Sequence, residues 1–422
     1  MFCHQCEQTP MGGCTVVGVC GKDETIASLQ DIIVFALKGI AAYRTHAHQL
    51  GYTDPFVDTT THEALYMTLT NSNFNVQEHF NMAMKVGKAA IRVMELLDRA
   101  HTEKLGIPQP VRVTQNKIEG KCILVTGHNL LALEKLLQQT EGKGINIYTH
   151  SEMLPAHGYP ELKKYPHLKG NVGKAWYDQR RLFEKFPGAI LATTNCVMPI
   201  KGTYADRMFS YDVAGLENVR KIENDDFTPL IEKALELPEA NIESDETLLT
   251  GFHHETVIGI APEIIQAVKD GKIQRFFVIA GCDAPGKGGE YYRLLATSLP
   301  PETVILTTSC GKFRFNDIDY GVVPGTNIPR YIDLGQCNNS ISTVKIAAAL
   351  ADAFGCEVNE LPLSIVLSWF EQKGLLSLGV QDIRIGPKAP HFISEGVMRV
   401  LQDMFGLKLI GDVEEDMRAM LA

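Results

Sequence analysis

The stretch Cys122–Gly158, CILVTGHNLLALEKLLQQTEGKGINIYTHSEMLPAHG, decides the fold. A short β-rich run, CILVTG, precedes a segment of helical periodicity, LLALEKLLQQ, and a second β-rich run, INIYTH, follows. Strand, helix and strand in that order predict a parallel pair, because parallel strands need a long crossover and a helix supplies it. The alternation continues through LFEKF and AILATTN and returns in RFFVIAG, TVILTTS and RYIDLG. Between the two series a polar, acidic passage, LELPEANIESDETL (Leu235–Leu248), reads as an interdomain linker.

Upstream the period changes. From Asp23 to Leu50 the apolar positions Ile26, Leu29, Ile33, Ala36, Leu37 and Ile40 recur every three or four residues, and Phe80, Ala83, Val86, Ala90, Val93 and Leu97 do the same. These runs predict long antiparallel helices with a shorter one around Glu63 to Leu69, closed off by the proline-bearing LGIPQPVRVTQNKIEG (Leu105–Gly120). The expected architecture is multidomain α and α/β. An N-terminal loop and helical bundle (1–116) precedes two Rossmann-like α/β domains with mostly parallel sheets (117–238 and 239–422).

Composition narrows the function classes. With 50 acidic against 40 basic residues the net charge is -10, which repels phosphate backbones and argues against a nucleic-acid partner. Apolar runs such as IIVFALKGIAA are soon interrupted by charge, so no membrane span is expected. The start, MFCHQCEQTPMGGC, lacks the basic and apolar regions of a secretory signal, and a cytoplasmic location is expected. Thiols stay reduced there, so the ten cysteines read first as metal ligands or redox groups.

Cys3, Cys6, Cys14 and Cys20 form a Cys-x2-Cys-x7-Cys-x5-Cys array in a glycine-rich segment. Four thiolates on so tight a loop suit an iron–sulfur cluster or one tetrahedral zinc, and the stretched second pair favours iron and sulfur. The remaining candidates share one kind of place. His128 follows ILVTG, Cys196 follows ILATTN, Cys282 follows FVIAG, Cys310 follows ILTTS, Cys337 follows YIDLGQ, and Glu152 lies just past INIYTH. Open parallel sheets bind ligands outside the carboxyl ends of their strands, so these residues can converge on one crevice. Singly, each reads as a buried small thiol or an ordinary hydrogen-bonded residue, but repetition across two domains weakens that reading. Cys122 and Cys356 fit neither group and read as ordinary thiols.

Familiar alternatives fail. HEALY and HHETV are not HExxH, no GxSxG elbow is present, and no GxGxxG opens a helix after a strand. Gly281–Gly288 approaches a P-loop, but Gly288 stands where Ser or Thr must hold magnesium.

Over nearly its whole length the sequence resembles the hybrid-cluster (prismane) protein family, through MFCHQC, GCTVVGVCGK, ILVTGHN, YTHSEMLPAHGYPELKKY, LATTNC, VIAGCDAPG, LTTSCGKFR, DLGQCNN and LSWFEQKG. The resemblance implies a hybrid 4Fe-2S-2O iron–sulfur–oxygen cluster held by His128, Glu152, Cys196, Cys282, Cys310, Cys337 and Glu371, with Cys282 able to carry a persulfide. It also implies a 4Fe-4S cluster on the N-terminal cysteines and a catalytic trio of Lys373, Glu371 and Cys282, with Lys373 a nearby cation that can position substrate or donate a proton. The chain resembles the short form of the family, which lacks one helical bundle. The activity so implied is reduction of hydroxylamine to ammonia and water, or of nitric oxide as a second small substrate. Electrons would come from an external ferredoxin or flavoprotein. Two other readings are a redox-stress partner acting through the Cys282 persulfide and a carbon monoxide dehydrogenase-like catalyst; the carboxylates Glu152 and Glu371 disfavour the nickel site of the latter.

Overall fold

The computed structural model describes residues 1–4, 6–9, 12–282, 287–368, 383–386 and 395–422. Helix α1 (Glu24–Gln49) starts where the Asp23 side chain accepts a hydrogen bond from the Ile26 N–H at 2.9 Å. It buries the face the spacing predicts, including Ile26, Leu29, Ile33 and Ile40. Helix α2 (Pro55–Met67) begins well before the expected Glu63, because Asp54 caps it and Pro55 supplies a preset first turn. Helix α3 (Val76–Leu105) buries Ala83, Val86, Ala90 and Val93. One 18-residue window of α1 has a mean hydropathy of 1.5, enough by length and composition to cross a membrane, but 61% of it is buried inside the fold. Buried in this way, it serves as a core helix.

The chain then alternates through β1 (Val111–Gln115), β2 (Ile118–Thr126), α4 (Leu130–Thr140), β3 (Ile145–His150), α5 (Pro160–Lys163), β4 (Leu168–Asn171), α6 (Gln179–Lys185) and β5 (Ala189–Ala192). It continues with β6 (Met208–Tyr211), β7 (Arg220–Ile222), α7 (Thr228–Glu236), β8 (Ala240–Ile242) and β9 (Thr247–Thr250). These nine strands form one sheet in the order β7-β6-β5-β2-β3-β4-β1-β9, with β8 paired to β2. Every pairing is parallel except β1 with β9 and β2 with β8. Strand side chains alternate between faces, so Ile123, Val125 and Ile147 enter one core while Leu124, Tyr148 and Ile190 enter another. The expected linker Leu235–Leu248 is therefore corrected. Despite its acidic composition it contributes β8 and the start of β9, and alternate burial of Leu248 and Thr250 anchors β9.

A second series follows: α8 (His254–Ile258), α9 (Ala261–Lys269), β10 (Arg275–Ala280), α10 (Glu290–Ser298), β11 (Thr303–Thr307), β12 (Tyr331–Asp333) and α11 (Ser340–Phe354). Strands β10, β11 and β12 pair in parallel, with Phe277 opposite Ile305 and Ile305 opposite Tyr331. Last come β13 (Leu363–Leu367), β14 (Arg384–Ile385), α12 (Glu395–Phe405), β15 (Lys408–Leu409) and α13 (Val413–Leu421), with β13, β14 and β15 again parallel.

The residues fall into two compact units, Met1–Ala100 with Ser364–Met420, and His101–Leu363. Within the first unit α12 packs along α1. Arg399 pairs with Glu24 at 2.7 Å, and the Phe405 and Phe80 ring centroids lie 5.1 Å apart. Within the second unit lie both long strand series, and with them the six strand-end candidates.

Candidate metal centre

All six candidates stand just past the carboxyl ends of strands: His128 after β2, Glu152 after β3, Cys196 after β5, Cys282 after β10, Cys310 after β11 and Cys337 after β12. A left-handed residue turns the chain at each place. Gly127, Ser151, Gly281, Ser309 and Gly335 have φ of 109°, 55°, 118°, 67° and 114°, and Cys196 itself has 67°. At Gly127 the need is steric as well, since a Cβ would stand 2.4 Å from Thr193 Oγ1 and 2.7 Å from Thr194 Oγ1. Ser309, at φ 67° and ψ 178°, occupies a region almost reserved for glycine, at a cost of roughly 1 to 3 kcal/mol. Strain of this kind persists where the surroundings over-determine a residue, as at binding sites.

The turns bring the side chains together. Ligand atoms of His128, Glu152 and Cys337 all lie within 4.8 Å of one another. His128 is set by Thr194, whose hydroxyl oxygen accepts from the His128 backbone N–H at 2.9 Å and hydrogen-bonds Nδ1 at 2.9 Å. That leaves Nε2 3.7 Å from Glu152 Oε2. The same Oε2 accepts from the Cys337 N–H at 2.9 Å. Gln336 donates to the carbonyls of His128 (3.2 Å) and Glu152 (2.8 Å), joining three ligand turns through one buried amide.

Cys310 is buried and Cys282 half-buried. The hydrogen bond with Cys282 pushes the Cys310 thiol well above its usual range, and burial and the nearby Cys282, Glu152 and Cys196 add to the shift. Cys196, Cys282, Cys310 and Glu152 therefore share one electrostatic neighbourhood.

Glu152 rides on a short 3-10 turn, Ser151–Gly158, whose eight residues are all buried. Behind it runs a polar chain: His157 Nε2 to Thr149 Oγ1 at 3.0 Å, Thr149 to Asn171 Oδ1 at 3.1 Å, and Asn171 to Gln115 Oε1 at 2.8 Å. Burial lowers the pKa of His157 to about 4 and that of His150 to about 3, so both are neutral near pH 7.

A metal fits this donor set. Glu152 is 1% exposed, yet among the described residues its Oε1 has no hydrogen-bond partner. An unpaired buried carboxylate oxygen is costly, and a cation removes the cost. The Cys310 thiol, whose proton loss is opposed by its bond to Cys282 and by burial, is stabilised as a thiolate by the same positive charge. Imidazole, carboxylate and thiolate together suit iron. Two members of the expected set, Glu371 and Lys373, lie outside the described residues. Thr194 and Gln336 were not among the sequence candidates. A Gly one or two places ahead of His128, Cys282 and Cys337 is the signal that marks such turns.

The N-terminal cysteines form a separate array in the first unit. The Cys14 N–H donates to the Cys3 carbonyl at 3.0 Å and the Thr9 N–H to that of Cys6 at 3.1 Å. Cys6 is exposed and the other three are half-buried. The loop is anchored by buried Lys22, which donates to the Met1 carbonyl and, at 2.9 Å, to Gln30 Oε1. Gln30 in turn reaches His79 Nε2 at 3.3 Å. Burial raises the Cys122 thiol to about 12, as befits an inert core residue.

Fold and site together describe an α/β protein whose candidate metal ligands stand at strand ends. A family model described as Prismane/CO dehydrogenase family matches residues 1–82 and 75–418, and the chain belongs to that family. A protein named hydroxylamine reductase from Moorella thermoacetica is 56% identical over 428 residues, covering 100% of both chains. One of the same name from Thermodesulfovibrio yellowstonii is 47% identical over 407 residues, 95% of this chain and 75% of that protein. Carbon monoxide dehydrogenase IV from Carboxydothermus hydrogenoformans superposes with a TM-score of 0.77 at 14% identity, covering 100% of this chain and 91% of that one, a likeness of fold. Iron–sulfur clusters are the cofactors this family implies.

Proposed function

We propose that the protein is an oxidoreductase that reduces hydroxylamine to ammonia and water at the strand-end centre. The observation that carries this reading is the convergence of His128, Glu152 and Cys337, with Glu152 Oε1 left without a hydrogen-bond partner among the described residues. The identity shared with proteins named hydroxylamine reductase supports it. In this reading His128, Glu152, Cys196, Cys282, Cys310, Cys337 and Glu371 hold a mixed iron–sulfur–oxygen cluster, and Cys3, Cys6, Cys14 and Cys20 hold a 4Fe-4S cluster.

Cleaving the N–O bond of hydroxylamine consumes two electrons and two protons, and the clusters, when bound, supply the redox capacity. The chain supplies the rest. The left-handed turns aim the ligands, Thr194 orients the His128 ring so that Nε2 faces Glu152, and Gln336 holds the turns together. Lys373 is assigned the proton-donating cation. Electrons come from an external donor protein, since no dinucleotide fingerprint occurs in the sequence.

The test is anaerobic reconstitution with iron and sulfide, metal analysis, and turnover with a reduced dye. One ammonia per hydroxylamine consumed is the expected result. A fully loaded protein that forms no ammonia overturns the reading.

A further inference from the structure

The Cys310 and Cys337 turns are tied by an ion pair that the chemistry above does not use. Lys312 and Asp333 each have 0% side-chain exposure. The Lys312 ammonium donates to Asp333 Oδ1 at 2.8 Å and to the Gly335 carbonyl at 3.0 Å. Asp333 is held from other sides. Its Oδ1 accepts from the Gly335 N–H at 3.0 Å, and its Oδ2 from the Thr250 hydroxyl at 2.7 Å. Backbone bonds complete the knot: Ser309 N–H to Gly335 carbonyl at 3.1 Å, and Gly311 N–H to Gly281 carbonyl at 2.8 Å. The turns that carry Cys282, Cys310 and Cys337 thus share one hydrogen-bond network.

Stability alone does not explain the pair. Desolvating an ammonium and a carboxylate costs several kcal/mol per ion, and an apolar pair of equal volume commonly holds a fold as well or better. What an apolar pair cannot do is set a direction. The charged pair makes oriented bonds to both ends of the Asp333–Gly335 turn, so it fixes where Cys337 stands relative to Cys310. Metal sites depend on such outer partners, whose loss typically costs 10- to 100-fold in affinity or activity.

We propose that Lys312 is a positioning residue that sets the spacing of the Cys310 and Cys337 ligand turns through Asp333 and Gly335. The proposal rests on the assignment of both cysteines to the strand-end centre. It touches neither substrate nor reacting atoms.

The test uses the full chain in three variants: K312M, K312M/D333N and T250V. K312M strands the Asp333 charge, and D333N removes that charge again. A purely structural pair predicts that the double variant regains everything. A positioning pair predicts that K312M/D333N regains its melting temperature but keeps an altered strand-end spectrum. Its N-terminal cluster signal stays unchanged. In the metal-free double variant, iodoacetamide labelling of Cys310, read by peptide mass, is expected to be about tenfold faster than in wild type, the scale of outer-partner effects. T250V removes a single bond to Asp333 and is expected to shift labelling in the same direction by a smaller factor, which keeps the test decisive if the double variant does not fold. Wild-type labelling rates and spectrum in K312M/D333N, or in T250V where the double variant does not fold, overturn the proposal. Failure of the functional reading shows elsewhere, in a wild-type protein that holds no strand-end iron or makes no ammonia.

Discussion

In the N-terminal loop four cysteines lie between positions 3 and 20, Cys6 is exposed, and Val16 and Val17 stand 79% and 59% exposed. At the strand ends Cys310 and Cys337 are 1% and 5% exposed, and the candidate residues come from six separate strands. The loop relies on short spacing, backbone bonds between neighbours and the Lys22–Gln30–His79 anchor. The strand-end centre relies on a finished sheet, left-handed turns and a buried polar scaffold. A local array tolerates disturbance of the rest of the chain; a dispersed one registers every change in the scaffold.

The largest expected effect tests that independence. C337S should lower hydroxylamine turnover by at least about a hundredfold and remove strand-end iron, while the N-terminal signal persists. C6S should do the reverse, damaging the loop cluster and sparing strand-end iron. Metal analysis and electron paramagnetic resonance on both variants check this, and loss of both signals in either folded variant breaks the comparison.

Acid should find the dispersed site first. His157 takes up a proton below about 6.5 in the unfolded chain but only below about 4 in the fold. The stability it contributes is therefore complete above pH 6.5 and drains away as pH falls from 6.5 towards 4, on the order of 3 kcal/mol in all. Urea denaturation across that window should show the decline. H157Q should flatten it in part, since His150 remains buried and neutral.

A step smaller, Q336A should destabilise the fold by about 2 kcal/mol, because it leaves the His128 and Glu152 carbonyls without their donor. The smallest effect has the opposite sign. S309G should relieve the strain at φ 67° and raise stability by about 1 kcal/mol, read as a small rise in melting temperature. A loss of stability would show that the backbone there is not strained.

The strand ends were readable because strand, helix and strand alternate cleanly around CILVTG and INIYTH, which is enough to place His128 and Glu152 at one edge. The glycines before His128 and Cys282 were visible too. Ser151, Ser309 and Cys196 were not, since no side-chain preference announces a left-handed conformation imposed by tertiary packing. Strands β8 and β9 hid behind acidic composition; a sheet edge needs only alternate burial, as at Leu248 and Thr250. The packing of α12 along α1 brings Arg399 to Glu24 across 375 residues, a separation that local periodicity cannot register.

The hydrogen bond from Gln336 to the His128 carbonyl closes a span of 208 residues, and that from Cys337 to Glu152 one of 185. Non-local closures of this size form late, whereas the N-terminal loop is tied to nothing farther along the chain than His79 by the Lys22–Gln30–His79 bonds. The two centres therefore mature on different schedules. The N-terminal thiols lie within a short span of chain, but His128, Glu152 and Cys337 are not assembled until synthesis has passed Cys337 and the sheets have paired.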